Sequence, residues 1–146
     1  LVTLEDFFRF AVRRFRAARL AYGHGTTNAT DEAAFLILEA LGLPIHHIDP
    51  WLDYKPTAAE RARLLTLIDA RIALRMPAPY LVGAAYMRGV RFQVDRRALI
   101  PRSFIGDMLA GGTLPAVKPR RILDLCTGSG CLAILAALAF PRATVD

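Results

Sequence analysis

The chain has 146 residues, 54% of them hydrophobic, and a formal net charge of +6. That composition can bury a core, which excludes a disordered polar chain, and two cysteines exclude a disulfide scaffold. Arginine supplies 17 of the 19 basic residues, unevenly: residues 1–76 hold ten basic and nine acidic side chains, residues 77–146 nine and four.

Thr3 opens the first predicted helix. Thr3-x-x-Asp6 has the form of a capping box, and Leu4, Phe7, Phe8, Ala11, Val12 and Phe15 recur at helical spacing. The helix is expected to end near Tyr22-Gly23. Arg9, Arg13, Arg14 and Arg16 lie mostly on its other side and read as a solvated face. The amphipathic start, with Glu5 and Asp6, is unlike a signal peptide. Gly23 to Asn28 is a loop by composition. His24, taken with His46 and His47, lacks the cysteine or carboxylate spacing of a metal site, so no metal is expected.

A second helix is predicted from about Thr30 to Leu41, with Ala34, Phe35, Ile37, Leu38 and Leu41 on its apolar face and Gly42 as its stop. His46 to Leu52 reads as one helical turn or two. Thr57-Ala-Ala-Glu60 is a complete capping box, and Leu64, Leu65, Leu67, Ile68, Ile72 and Leu74 follow before Pro77. Residues 1–76 therefore read as a helical bundle.

From Tyr80 the period changes. Tyr86 to Val94 and Arg97 to Ile100 read as two strands turning at Asp95-Arg96, which makes residues 77–101 a β-hairpin linker. Ser103 to Leu109 reads as a short helix, and Gly111-Gly112 with Pro115 as a loop. Arg88, Arg91, Arg96, Arg97 and Arg102 fall close together, with Asp95 against them. Such a patch attracts RNA or an acidic surface, or is a solvated arginine-rich face.

The last stretch carries the chemistry. Ile122 to Cys126 is an apolar run fit for a buried strand, Thr127-Gly128-Ser129-Gly130 is a tight turn, and Leu132 to Phe140 is a helix stopped by Pro141. Ala143 to Val145 starts another strand. Glycines let a backbone approach a ligand closely, and the amides opening the helix can donate to it. Gly128-x-Gly130-x-x-Ala133 fits the loose dinucleotide pattern. Asp124 points elsewhere: an acid four residues before Gly128 suits a cationic ligand, such as the sulfonium and ammonium groups of S-adenosylmethionine. The remaining reading is a turn that only connects strand to helix. Cys126 and Cys131 match no common zinc spacing and are expected as buried thiols. Leu132 to Phe140 is too short to cross a membrane, so no membrane association and a cytoplasmic location are expected.

Asp124-Leu-Cys-Thr-Gly-Ser-Gly130 resembles the first motif of class I methyltransferases. Ile100-Pro-Arg-Ser-Phe-Ile-Gly106 resembles the segment before it in HemK-type protein-glutamine methyltransferases. Gly23 to Asn28 and Cys126 to Pro141 are similar to the PrmB branch, which methylates a glutamine of a large-subunit ribosomal protein. The resemblance implies an α/β fold: an N-terminal helical bundle that recognises substrate, the hairpin, then, over residues 102–146, the first strand-helix-strand of a Rossmann-like S-adenosylmethionine domain. It implies that Asp124, Cys126, Thr127, Gly128, Ser129 and Gly130 hold S-adenosylmethionine, with Arg102 and Phe104 near the cleft mouth. Arg88, Arg96 and Arg97 become candidates for binding the ribosomal protein or nearby ribosomal RNA. The family's Asn-Pro-Pro-Tyr motif, which holds the target amide, is absent. No catalytic residue is therefore expected here, and the chain reads as the front part of a longer enzyme, inactive by itself. The rival readings are an adenine methyltransferase and a non-enzymatic module that binds ribosomal RNA or protein.

Overall fold

The computed structural model describes residues 1–111 and 118–146; the loop expected at Gly112 and Pro115 lies outside the described residues. The described chain mixes helix and strand and divides into two compact units, 1–83 and 84–146.

The first unit is helical. Helix α1 spans Leu4–Ala17, α2 Ala29–Leu41, α3 Ala58–Leu74 and α4 Ala78–Val82, with a single 3₁₀ turn at Asp49–Trp51. Each long helix starts where a side chain can take an orphan amide: Thr3 caps α1, Asn28 caps α2 and Thr57 caps α3. Thr3–Asp6 and Thr57–Glu60 are both reciprocal capping boxes. The amides of Val2 and then Thr3 hold the Asp6 carboxyl below its ordinary range, and the Thr57 amide does the same for Glu60. Gly42, in the left-handed region, closes α2. Leu4, Phe7, Ala11 and Phe15 meet Leu36, Ile37, Leu64 and Ile68 in one core. Burying each large side chain there contributes about 1.5–3 kcal/mol.

Helix α1 stops at Ala17, earlier than Tyr22-Gly23. The cause lies on α3. Arg71 Nη2 donates to the Ala21 carbonyl at 2.9 Å, and Arg75 Nη2 donates to the Ala18 carbonyl at 3.1 Å. Arg19 takes φ 48° there and turns the chain away. These carbonyls find guanidinium donors instead of a further helical turn. Arg71 also donates through Nε to Glu32 Oε1 at 2.6 Å, and the two side chains are 2% and 1% exposed. Neither residue stands out in the sequence, because helical periodicity marks apolar positions only. Leu65 and Leu74, counted on the apolar face of α3, are exposed, while Arg71 takes a core position.

The second unit opens with a hairpin of β1, Ala84–Met87, and β2, Val90–Gln93. It turns at Arg88-Gly89, not at Asp95-Arg96. Met87 pairs with Val90, and both turn residues have positive φ, 53° and 77°. That is the twist a two-residue hairpin loop needs. The predicted single strand from Tyr86 to Val94 thus folds back at its middle, and Asp95 to Ala98 is a separate bend closed by an Ala98 to Asp95 hydrogen bond. Ser103 caps α5, Phe104–Ala110, through its Oγ and the Ile105 amide. Strand β3, Arg121–Ile122, runs parallel to β4, Thr144–Val145, with α6, Cys131–Ala139, between them in sequence. The ladder continues through backbone bonds from Asp146 to Ile122 and from Asp124 to Asp146. Leu125 and Cys126, expected inside the strand, lie beyond it.

Helices α5 and α6 pack together in this unit. Gly106 shows how closely. A Cβ there would stand 3.1 Å from Met87 Cε and 3.2 Å from Leu135 Cδ1, so the glycine lets α5 settle between the hairpin and α6. Ile100, Pro101 and Gly106 are buried, whereas Arg102, Phe104 and Ile105 face outward. The Ile100–Gly106 motif is therefore part packing and part surface.

Candidate functional site

The glycine turn follows the carboxyl end of β3 and opens α6. Gly128 and Gly130 have φ 59° and 76°, and Cys126 has φ 61°, so three residues between β3 and α6 are left-handed. Glycine accommodates this freely, whereas a side chain as at Cys126 is strained. A Cβ placed at Gly128 or Gly130 meets nothing within 4 Å. The backbone is therefore open on that side, and a ligand can come close to it.

Asp124 braces the turn. Its Oδ2 accepts from Thr127 Oγ1 at 2.6 Å and from the Ala133 amide at 3.1 Å. Gly130 occupies the cap position of α6 and has no side chain to offer. The carboxylate of Asp124, reaching over from the strand side, takes the orphan amide of the third helical residue instead. A negative group beside a helix N-terminus is favoured by the helix dipole as well. Asp124 Oδ1 has no hydrogen bond among the described residues and is left to meet a donor or a cation. The sequence marks Asp124 as a candidate but not its partner Ala133, because a backbone amide leaves no mark in sequence.

The two cysteines differ. Cys131 is buried in the first turn of α6, but Cys126, expected as a buried thiol, is exposed because the left-handed turn rotates it outward. Thr127 and Gly128 are exposed, and Ser129 and Gly130 partly so. Arg102 is exposed just before α5, and Phe104 is 87% exposed in its first turn. Of the hairpin arginines, Arg88 pairs with Asp107 at 2.7 Å, which the sequence did not place nearby. Arg97 grips Asp95 through Nε and Nη2, and with its backbone amide lowers that carboxyl to about 2. Arg96 makes no ion pair among the described residues. No group of three metal-ligating side chains occurs among the described residues, and no described helix is long and apolar enough to cross a membrane.

The class that these elements define is a chain of mixed helix and strand, helical in front, whose second unit holds a parallel β-α-β segment with an acid-braced glycine turn. No protein-family model matches the chain. Curated proteins do. The chain is 55% identical over 150 residues to a ribosomal protein uL3 glutamine methyltransferase of Bordetella pertussis, covering all of the chain and 50% of that protein. It is 50% identical over 148 residues to the protein of the same name from Burkholderia pseudomallei, covering 99% of the chain and 48% of the relative. The Bradyrhizobium diazoefficiens counterpart gives 50% over 156 residues, covering 100% and 49%. The chain is thus homologous along its whole length to ribosomal protein uL3 glutamine methyltransferases, and it spans about half the length of the relatives it matches.

Proposed function

We propose that this chain forms the substrate-recognition unit and the cofactor turn of an S-adenosylmethionine-dependent methyltransferase that modifies a glutamine side-chain amide of a large-subunit ribosomal protein. The second unit is read as the start of a Rossmann-like domain. The observation that carries the reading is Asp124: an acid at the end of a parallel strand, tied to both ends of an open glycine turn, in a chain half identical to glutamine methyltransferases. In open α/β sheets ligands bind outside the carboxyl ends of the strands, where this turn lies.

The residues present fit such a cofactor. Gly128 and Gly130 leave the backbone bare, and Asp124 Oδ1 faces no competing donor among the described residues. When bound, S-adenosylmethionine supplies a methyl group on a positively charged sulfur. Asp124 and the backbone from Cys126 to Gly130 bind and orient it. Arg102 and Phe104 shape the neighbouring surface, and Arg88, Arg96 and Arg97 are the hairpin's candidates for the protein substrate. A phosphate-bearing dinucleotide fits less well, because the Asp124 carboxylate would repel it. A nucleic-acid adenine methyltransferase is disfavoured by the Bordetella, Burkholderia and Bradyrhizobium relatives, each named for a ribosomal protein.

Calorimetry with S-adenosylmethionine tests the site. Asp124→Ala should weaken binding by tenfold or more, since a hydrogen bond to a charged group contributes roughly 1.5–3 kcal/mol. Gly128→Val should be worse, because a branched residue at φ 59° both strains the turn and fills the open side. Unchanged affinity in both variants would remove the cofactor site from this turn.

A further inference from the structure

The helical unit carries two open grooves that lie outside the cofactor turn. One, of about 330 Å³, is lined by Phe8, Arg9, Val12, Arg13, Arg16 and Thr30. The other, of about 320 Å³, shares Arg16 and Thr30 and continues past Arg19, Tyr22 and Asn28. The two adjoin at Arg16 and Thr30, and their run along α1 and the start of α2 is called the furrow below. Among the described residues no carboxylate lines either groove.

The arginines of this furrow are poorly neutralised. Arg9 meets Glu5 at 2.7 Å, but both are exposed, and such pairs are weak and screened. Arg16 donates to the neutral hydroxyl of Thr30 at 3.3 Å. Arg13 and Arg19 make no ion pair among the described residues. Arg14 leaves the furrow to pair with Asp69, and its guanidinium lies 5.4 Å from the Phe10 ring centre. The near-neutral charge of this unit therefore hides a one-signed strip. The hairpin differs in degree: its net charge is higher, and Arg88 and Arg97 each have a carboxylate partner, in pairs that are exposed as the Arg9–Glu5 pair is.

We propose that this furrow binds single-stranded RNA. Arg9, Arg13 and Arg16 share one helix face at axial steps of about 6 and 4.5 Å, a row of cations suited to an anion that repeats along a chain. Guanidinium groups take phosphate in a forked, two-bond geometry. Between the arginines the floor is apolar, from Phe8 and Val12, and Tyr22 walls the far end. The Tyr22 hydroxyl is buried without a hydrogen-bond partner among the described residues. Charged grooves floored by aromatic and apolar groups hold single strands by phosphate contact and base stacking. An acidic peptide matches the charge but has no flat faces for this floor. The proposal is independent of the cofactor site, which lies in the other unit.

The test is fluorescence anisotropy of a labelled oligouridylate with the whole chain at about 50 and 200 mM salt, where each phosphate neutralised on a single strand gives a slope of about −0.7 in log–log form. Three phosphates predict roughly a twentyfold loss of affinity across that range. Arg13→Glu/Arg16→Glu/Arg19→Glu should abolish binding, and Arg13→Gln/Arg19→Gln, at two exposed positions without ion pairs, should weaken it and flatten the slope. Arg88→Glu/Arg96→Glu/Arg97→Glu should leave it unchanged. Trp51, packed against the core of this unit, reports by its fluorescence that each variant is folded. Equal binding by the double glutamine variant, loss in the hairpin variant, or equal competition by a polyglutamate peptide would each overturn the proposal.

Discussion

The two units of this chain solve the burial problem differently. In residues 1–83 the large apolar side chains Leu4, Phe7, Phe15, Leu36 and Ile68 are at most 1% exposed. In residues 84–146 Leu99, Phe104, Leu123, Leu125 and Leu138 are 60% exposed or more. The helical unit closes its core with its own residues and even seals an ion pair inside it. The second unit has short strands and a helix, α6, that is apolar nearly all round yet keeps Ile134 and Leu138 exposed. A helix with that pattern is built to be covered on more than one side. The difference teaches that the large, fully sealed side chains cluster in the front unit, while the candidate site lies in the unit that keeps more apolar surface exposed.

The largest effect that sharpens this comparison is at Arg71. Arg71→Ala leaves Glu32 buried and unpaired, and should cost about 3–5 kcal/mol. Replacing both residues together with leucine and methionine should recover most of it, because an apolar pair of similar volume avoids desolvating two charges. Denaturant unfolding followed by Trp51, the chain's one tryptophan, reads the front unit directly. A loss below 1 kcal/mol would show that water reaches the pair. Leu138→Ala, on the open face of α6, should change stability by no more than about 0.5 kcal/mol.

Gly106→Val comes next, and acts on the second unit alone. The added carbons meet Met87 and Leu135, and overpacking of this kind costs about 1–3 kcal/mol. Far-ultraviolet circular dichroism should lose part of its signal at lower denaturant while the Trp51 transition stays where it was. A shift of both transitions would mean that the units do not unfold separately.

Asp124→Ala removes the acceptor that caps α6 from the strand side, which should cost about 1 kcal/mol of helix stability in the absence of any ligand. Hydrogen exchange at the Ala133 amide should quicken. Unchanged protection there would assign Asp124 to the ligand and not to the turn.

The smallest effect is a pH dependence. Arg97 holds the Asp95 carboxyl at about 2, against 3.8 ordinarily. A folded-state value below the unfolded one stabilises the folded form above pH 3.8, and the contribution disappears as pH falls through about 2. Both groups are exposed, so the gain is slight and salt-sensitive. A carbon-detected titration of Asp95 should have its midpoint near 2 and return to the ordinary range in Arg97→Ala. A midpoint near 4 in the unaltered chain would remove the contact.

Much of this molecule was legible because it rests on local rules. Thr3, Thr57 and Ser103 announce helix starts, since a cap needs only a side-chain oxygen and an amide two or three residues on. Gly42 announces a helix end for a similar reason. Arg88-Gly89 was misread because arginine seldom takes positive φ, so the hairpin turn carried no Asn-Gly or Asp-Gly signal. Glu32, Arg71 and Gly106 were silent because their roles depend on partners 39 residues away in the ion pair, or on two other elements in the case of Gly106.

By itself, then, the sequence determined the helix starts, the glycine turn and the acid before it, all of which are set within a few residues along the chain. Only the tertiary structure decided which charges are spent on one another. It paired Arg71 with Glu32 and Arg88 with Asp107, and left Arg13, Arg16 and Arg19 along an open furrow. Charge falls off with distance through space and not along the chain, so a count of residues could not have said where the field remains.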